Sequence, residues 1–293
     1  EQLKAQQPAA PVATGNPLQK YFRQPKIYVQ LPSHGRFYPN GSIDATDNNE
    51  YPVFAMTAKD ELMFKTPDAL LNGQATVDVI QSCIPNIKDA WKMPSIDIDT
   101  CLVAIRMATY GEQLSLTTKI PGINEEREFA LDLRTILDSM RDNEFEWECF
   151  DKDLKINLRP LTYKEFTQNA LKTFEEQRIL QIVNDDDMSE EEKLQKFTNS
   201  FAKLTNFTVS IVTQGISSIE VDGTVVTDKK HIDEFVNNAE KTFFKSIMDL
   251  LEKNKAKTSI KPMKVVTSDE DRQAGAPESF EVPITFDQSN FFG

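Results

Sequence analysis

Few residues in this chain combine the types and the spacing that catalysis or metal binding requires. The sequence has only two histidines, His34 and His231, and His34 directly follows Ser33. A serine and a histidine that are adjacent in sequence do not normally face each other as nucleophile and base, and no third group that could orient the histidine is evident. We therefore expect His34 to lie in a turn and His231 to be a solvated residue in the first turn of a helix.

The cysteines and the acidic tracts form no recognisable site either. The three cysteines, Cys83, Cys101 and Cys149, include no C-x-x-C pair, and we expect all of them to be small buried side chains in a reducing compartment. The acidic tracts at 185–192 and 269–271 lack the alternating ligands and central glycine of a calcium loop, and no glycine-rich phosphate-binding loop is present. The sequence therefore predicts no catalytic residue, no metal ligand and no cofactor, and we do not expect an enzyme.

The composition favours an acidic protein with one or two folded domains. Of 293 residues, 33 are Lys or Arg and 46 are Asp or Glu, which gives a formal net charge of −13. Such a surface does not favour binding to nucleic-acid phosphates, which requires a basic patch. No stretch approaches the ~20 apolar residues needed to cross a bilayer. We expect no nucleic-acid partner and no membrane-spanning segment.

The pattern of strands and helices along the chain predicts an α+β fold. Residues 1–25 are rich in Gln, Ala and Pro, and we expect a flexible arm because such a segment buries little apolar area. Residues 26–160 read as a mixed region of short strands and helices, and 161–262 as a mainly helical region with a hairpin. The Asp-Gly pair within Val221-Asp222-Gly223 favours a type I′ turn in that hairpin. Residues 263–293 are predicted to form an extended C-terminal tail.

Local patterns also predict where several helices begin. Thr57, Thr162 and Ser189 each stand where a helix N-cap is expected, with an acidic residue three positions later. Either Asp97 or Asp99 is expected to cap the helix that ends at Tyr110-Gly111. These acidic residues are better explained as caps than as an acid/base pair.

Phenylalanine is the most frequent aromatic residue, with 19 Phe against 6 Tyr and 2 Trp. Several of them recur at helical spacing, and core packing is the leading explanation for these. They are Phe166, Phe174, Phe197, Phe201, Phe235 and Phe243. The last two belong to a single long helix that is predicted from about Lys229 to Lys255. A surplus of such residues beyond one core would indicate burial against a partner.

Other aromatic residues are candidates for contacts with partner proteins. They are Tyr21, Phe22, Phe37, Tyr38, Phe286, Phe291 and Phe292. Tyr21 and Phe22 belong to the predicted arm, whereas Phe291 and Phe292 are adjacent aromatics in an otherwise polar segment. Two alternatives are open for this last pair, because it can either fold back on the body or dock on another subunit.

Specific motifs occur in a fixed order along residues 26–293. They are Leu31-Pro-Ser-His-Gly-Arg-Phe-Tyr-Pro39, Met56-Thr-Ala-Lys-Asp-Glu61, Pro67-Asp-Ala-Leu-Leu-Asn-Gly73, Ile84-Pro85, Ala104-Ile-Arg-Met-Ala-Thr-Tyr-Gly111 and Pro283-Ile-Thr-Phe-Asp287 followed by Phe291-Phe292-Gly293. The series resembles the baseplate hub subunit family of T4-like contractile-tailed bacteriophages. Related sequences often carry cysteine pairs that resemble a small zinc ribbon, but residues 262–280 contain neither Cys nor His, so no metal site is carried over.

The resemblance implies a structural or assembly component of the tail baseplate hub that acts through protein–protein contacts. Its implied partners are other baseplate and hub proteins and the tape-measure protein, within a multi-subunit assembly. Its implied location is the virion tail baseplate, after assembly in the host cytoplasm. Two alternatives remain open: a transient chaperone of the tape-measure protein that is absent from the mature virion, and a tail-associated hydrolase that uses Ser33 and His34.

Overall fold

The computed structural model describes residues 16, 18–65, 73–123, 125–141, 143–182 and 189–284. The strands, in chain order, are β1 (Pro25–Gln30), β2 (Glu50–Phe54), β3 (Gln113–Lys119), β4 (Glu126–Asp132), β5 (Glu148–Asp151), β6 (Leu154–Leu158), β7 (Ile216–Val221), β8 (Thr224–Val226), β9 (Met263–Val266) and β10 (Ser279–Val282). The α-helices are α1 (Ala58–Phe64), α2 (Gln74–Cys83), α3 (Ile98–Tyr110), α4 (Leu133–Arg141), α5 (Tyr163–Ile182), α6 (Glu190–Gly215), α7 (Lys229–Asn238), α8 (Lys241–Thr258) and α9 (Asp269–Gln273). Short 3₁₀ helices cover Gln19–Tyr21, Ala90–Lys92 and Ser95–Asp97. The predicted α+β class is confirmed.

The strands form small antiparallel sheets. Three of these sheets have two strands each, with the pairs β1–β2, β3–β4 and β9–β10, and the fourth has the order β5-β6-β7-β8. The turn between β7 and β8 has positive φ at both central residues, 49° at Asp222 and 74° at Gly223, as a type I′ turn requires. The predicted hairpin is therefore confirmed.

Two separate hydrophobic cores hold these elements together. The first surrounds α3, on which Val103, Ala104 and Ile105 are fully buried, and it includes side chains from β1, β2, α2 and α4. The second is smaller and lies between the four-stranded sheet and the helices α6, α7 and α8. Cys83 and Cys101 are buried in the first core, whereas Cys149 is partly buried beside the second.

The predicted helix starts are confirmed at Thr57, Thr162 and Ser189. Thr57 and Ser189 each form a reciprocal capping box with the residue three positions later. The Thr162 hydroxyl accepts a hydrogen bond from the Glu165 N–H at 3.2 Å, and the Glu165 carboxylate accepts one from the Thr162 N–H at 2.9 Å. These caps form because donor and acceptor lie within one turn of each other in the sequence.

The single helix predicted from Lys229 to Lys255 is wrong, because the chain forms two helices there. Ala239 and Glu240 have extended backbones, with ψ of 153° and 151°, and they separate α7 from α8. A continuous helix over 229–258 would be about 45 Å long at 1.5 Å per residue. The break lets both apolar stripes pack on the small second core, where Phe235 of α7 meets Phe243 of α8 edge to face at 5.1 Å.

Two arginines link the N-terminal and C-terminal parts of the described chain to the rest of the fold. Arg23, which follows the first 3₁₀ helix, donates to the Ser82 hydroxyl at 2.8 Å and pairs with Asp60 at 3.5 Å. Near the other end, the β9–β10 unit packs on β3–β4. Arg127 makes a two-pronged ion pair with Asp271 there, with both N–O distances at 2.6 Å. Residues 263–282, which the sequence predicts to be part of an extended tail, thus contain a two-stranded sheet and the short helix α9.

Candidate docking surface

The residues predicted to contact partners lie in different environments. Tyr21 and Phe22 are 74% and 57% exposed at the first 3₁₀ helix, as a contact residue in an arm would be. Phe37 is partly buried and packs edge-on against the Trp147 ring, with centroids 5.1 Å apart. Tyr38 is partly buried against the first core. The remaining candidates, at positions 286, 291 and 292, lie outside the described residues, so all of these contacts stay predictions.

Tyr38 takes part in a buried network around Asp97. The Asp97 carboxylate is fully buried and accepts hydrogen bonds from the Ser33 N–H at 2.8 Å, the Ser33 hydroxyl at 2.6 Å and the Tyr38 hydroxyl at 3.0 Å. Burial raises the pKa of Asp97 to about 6, although these hydrogen bonds lower it in part. Asp97 stands at the N-cap position of α3 but makes no side-chain cap hydrogen bond. Of the two residues predicted as caps, Asp97 is therefore the N-cap residue by position, but its side chain does not cap the helix because the carboxylate is engaged by a distant turn.

The same network shows where Ser33 and His34 point. The Ser33 side chain is buried and its hydroxyl donates to Asp97. His34 is exposed, has a positive φ of 52°, and places its Nδ1 atom 3.2 Å from the Asn49 amide nitrogen. The two neighbours thus engage different partners, as expected for a turn residue beside a structural serine.

Asp99 is a second carboxyl group whose pKa is raised, and it gives a prediction about the pH dependence of stability. Burial raises the pKa of Asp99 to about 6 from its usual 3.8, against lowering by Lys255 and by the Ile260 N–H. The folded state therefore binds this proton more tightly than the unfolded state. Its contribution to stability is fully present below pH 3.8 and is lost as the pH rises through 6. We expect Asp99→Asn to raise the free energy of unfolding by about 1–2 kcal/mol at pH 7 and by much less at pH 4.

The measurement is urea denaturation of the native protein and the variant at both pH values. Asp138→Asn serves as the control, because the Asp138 side chain is 67% exposed and its ion pair with Arg141 is loose, at 3.4 Å. If Asp99→Asn stabilises the protein equally at pH 4 and pH 7, the raised pKa of Asp99 is contradicted.

An open apolar groove with a volume of ≈ 510 Å³ lies on the surface of the described residues. One wall is α5, which contributes Phe166, Ala170 and Phe174, and the other is α8, which contributes Met248 and Leu251. Ile211 of α6 also lines the groove, together with Trp147, Ile96 and Leu161. Through Trp147, the groove adjoins the predicted contact residue Phe37.

Two amide side chains that line the groove, Asn254 and Asn169, have partners within the protein. The Asn254 amide donates to the Glu146 carbonyl at 2.7 Å, and the Asn169 amide donates to Gln214 at 2.9 Å. Lys255 lies over the Phe166 ring at 5.3 Å from its centroid. Because these polar groups are engaged, the groove presents mainly apolar carbon to an occupant.

A second apolar surface lies on α6, which runs antiparallel to α5, and we call it the aromatic stripe. It comprises the exposed side chains of Leu194, Phe197 and Phe201, and Phe174 of α5, which also lines the groove, is exposed as well. Phe197 and Phe201 stack on each other, with centroids 6.3 Å apart. The expectation that Phe174, Phe197 and Phe201 pack in a core is therefore wrong.

Polar residues occupy the seam between α5 and α6 instead. Ser200 and Glu176 are buried there, and Lys203 pairs with Glu176 at 2.9 Å. This arrangement reverses the usual order, in which apolar side chains fill the contact between two helices. The aromatic stripe is left on the outside of the helix pair as a result.

Sequence reasoning missed both the groove and the outward orientation of the stripe. The groove walls come from segments that are far apart in the chain, so no local spacing signals it. The surplus of phenylalanine at helical spacing was the one available indication of a contact surface. Among the described residues, no cluster of His, Cys, Asp or Glu is arranged to hold a metal ion, and no helix has the length and apolarity to span a membrane.

An α+β subunit with an aromatic stripe and an open apolar groove has the surface features of an assembly protein. Residues 25–267 match the family described as T4 bacteriophage base plate protein, and the chain belongs to this family. It is thus a structural protein of the phage baseplate, where it assembles with other baseplate proteins. No curated protein and no solved structure matches the chain.

Proposed function

We propose that this chain is a structural or assembly component of the baseplate hub and acts through protein–protein contacts. The family membership supports the baseplate role, and the ordered motifs from Leu31 to Gly293 favour the hub within it. The observation that carries the contact mechanism is the aromatic stripe, because Phe197 and Phe201 are 50% and 62% exposed in the folded chain.

The physical argument depends on the apolar surface area that the stripe exposes to water. Burying apolar surface contributes roughly 25 cal/mol per Å², so large aromatic side chains dominate the energetics of interfaces. Since Ser200 and Glu176 are buried in the seam between the helices, turning the stripe inward would displace these polar groups, and the stripe stays in contact with water in the folded chain. A neighbouring subunit with an apolar helix or sheet face is therefore the kind of partner that this surface fits.

The test is a double substitution, Phe197→Ser together with Phe201→Ser, in a phage that depends on this protein. Both side chains lie outside the cores, so we expect the variant to keep its helix content and melting temperature. We expect the yield of infectious particles to fall by about tenfold or more, since loss of two anchor residues in one interface typically costs more than 2 kcal/mol.

Phe150→Ser is the matched control, because Phe150 is 72% exposed on β5, away from the stripe. We expect that variant to assemble normally. A normal yield from the stripe variant, with the protein folded, would exclude the stripe as an assembly contact.

The hub role is tested separately from the contact mechanism. Electron microscopy of tails that carry a labelled chain should place the label on the central axis of the baseplate, and a peripheral label would contradict the hub. Mass spectrometry of purified virions should detect the chain. Its absence from finished particles would favour the alternative of a chaperone that acts on the tape-measure protein and then leaves.

A further inference from the structure

We propose that the groove between α5 and α8 binds the chain's own C-terminal segment, residues 285–293, through Phe291 and Phe292. This inference is independent of the hub role, because it concerns one subunit alone. It selects one of the two alternatives that the sequence leaves open for these aromatics. Three features support it: the chemistry of the groove, the point at which the described chain ends, and the reach of the segment beyond that point.

The chemistry of the groove requires an apolar occupant. Its walls are built from Phe166, Phe174, Met248 and Leu251, while the amide side chains of Asn169 and Asn254 are engaged within the protein. Covering an apolar surface that is open to water stabilises the protein. Polar groups that already have hydrogen-bond partners add no free-energy cost when the surface is covered. Two adjacent phenylalanines in an otherwise uncharged stretch, Gln288 to Gly293, match these requirements.

The described chain ends close in the fold to the C-terminal end of α8. In the β9–β10 sheet, the last paired residue, Val282, lies opposite Met263, which is five residues after the end of α8 at Thr258. Ile284 and Ile260 both pack against the first core. Since α8 ends at Thr258, the C-terminal segment begins next to the end of the helix that forms one groove wall.

The length of the segment matches the distance that it must cover. The α8 wall runs from Met248 to Lys255, which is about 10 Å at 1.5 Å per residue. Residues 285–293 reach about 30 Å when extended, at ~3.3 Å per residue. The segment can therefore enter at the Lys255 end and place Phe291 and Phe292 against the apolar walls. Because both parts belong to one chain, binding does not require the entropy of bringing two molecules together.

Trp147 provides a direct test, because it lines the groove and the only other tryptophan, Trp91, stacks on Tyr163 elsewhere. In a Trp91→Phe background, the fluorescence of Trp147 reports on the groove alone. We expect acrylamide to quench Trp147 weakly in the full chain. We expect the quenching constant to rise by about twofold or more when Phe291 and Phe292 are both replaced by Ser, because the covering side chains are lost.

The control is Phe22→Ser, an exposed aromatic of the N-terminal arm, which should leave Trp147 quenching unchanged. A chain truncated after Ile284 should also show raised quenching, and a peptide of residues 283–293 added to it should restore the protection. Equal quenching in the full chain and in the Phe291/Phe292 variant would overturn the proposal. Protection that appears only at concentrations where the chain dimerises would overturn it as well, because the segment would then dock on a second copy.

Discussion

Asp97→Ala is expected to lower the free energy of unfolding by about 3–5 kcal/mol. The substitution removes the acceptor of three buried or partly buried donors, namely the Ser33 N–H, the Ser33 hydroxyl and the Tyr38 hydroxyl. Each buried donor left without a partner costs about 1–3 kcal/mol. The raised pKa of Asp97 shows that burial of its charge is itself unfavourable, so removal of the charge offsets part of this loss. The measurement is equilibrium denaturation at pH 7.

Two comparison variants distinguish the stability lost by breaking the Asp97 network from the stability lost by removing any acidic residue. Asp97→Asn keeps one oxygen for the Ser33 N–H and should lose less stability than Asp97→Ala. Asp89→Ala removes a partly exposed carboxylate that pairs with the exposed Lys92 at 2.9 Å, and such pairs near the surface contribute about 0–1 kcal/mol. If Asp97→Ala and Asp89→Ala lower the free energy of unfolding by the same amount, then the buried network does not hold the turn at Ser33 on the start of α3.

Gly122→Ala is the second substitution with a large expected effect, about 2–4 kcal/mol of destabilisation. Gly122 has a φ of +86°, and a Cβ atom there would lie 2.3 Å from the carbonyl oxygen of Gly275. The positive φ costs an L-residue about 1–3 kcal/mol, and a clash with backbone cannot be relieved by a side-chain rotation. We expect the β9–β10 unit to separate from β3–β4, which hydrogen exchange over 263–282 would detect as faster exchange.

Gly41→Ala is the matched control for this prediction. Gly41 has a similar φ of +78° but no atom within 4 Å of the Cβ position, so its substitution introduces the backbone strain without the clash. The difference between the two variants therefore measures the close approach of Gly122 to Gly275. Equal destabilisation by both variants would show that this approach does not hold the C-terminal unit in place.

Features with a cause inside a few neighbouring residues were predictable from the sequence. The capping boxes at Thr57 and Ser189 form because an acceptor and a donor stand three residues apart, and the Asp222-Gly223 turn forms because both residues tolerate a positive φ. Apolar residues at spacings of three and four likewise predicted that α5 and α6 are helices with one apolar face.

The direction in which such a face points was not predictable in the same way. Phe197 and Phe243 both occur at helical spacing, yet Phe243 is buried in the second core and Phe197 lies on the aromatic stripe. The difference depends on which surface packs against the helix, and that surface comes from distant parts of the chain. The same holds for Asp97, which the sequence assigns to a helix cap and which instead binds a turn more than sixty residues away.

The amino-acid sequence by itself determined the α+β class, several helix starts, and membership of the baseplate protein family, because each of these depends on residue types in a fixed order along the chain. Only the tertiary structure decided that α7 and α8 are separate helices, that the stripe faces outward and that a groove opens between α5 and α8. The physical reason is that burial is a property of surfaces brought together from distant segments. Spacing along one segment shows that an apolar face exists but not what covers it.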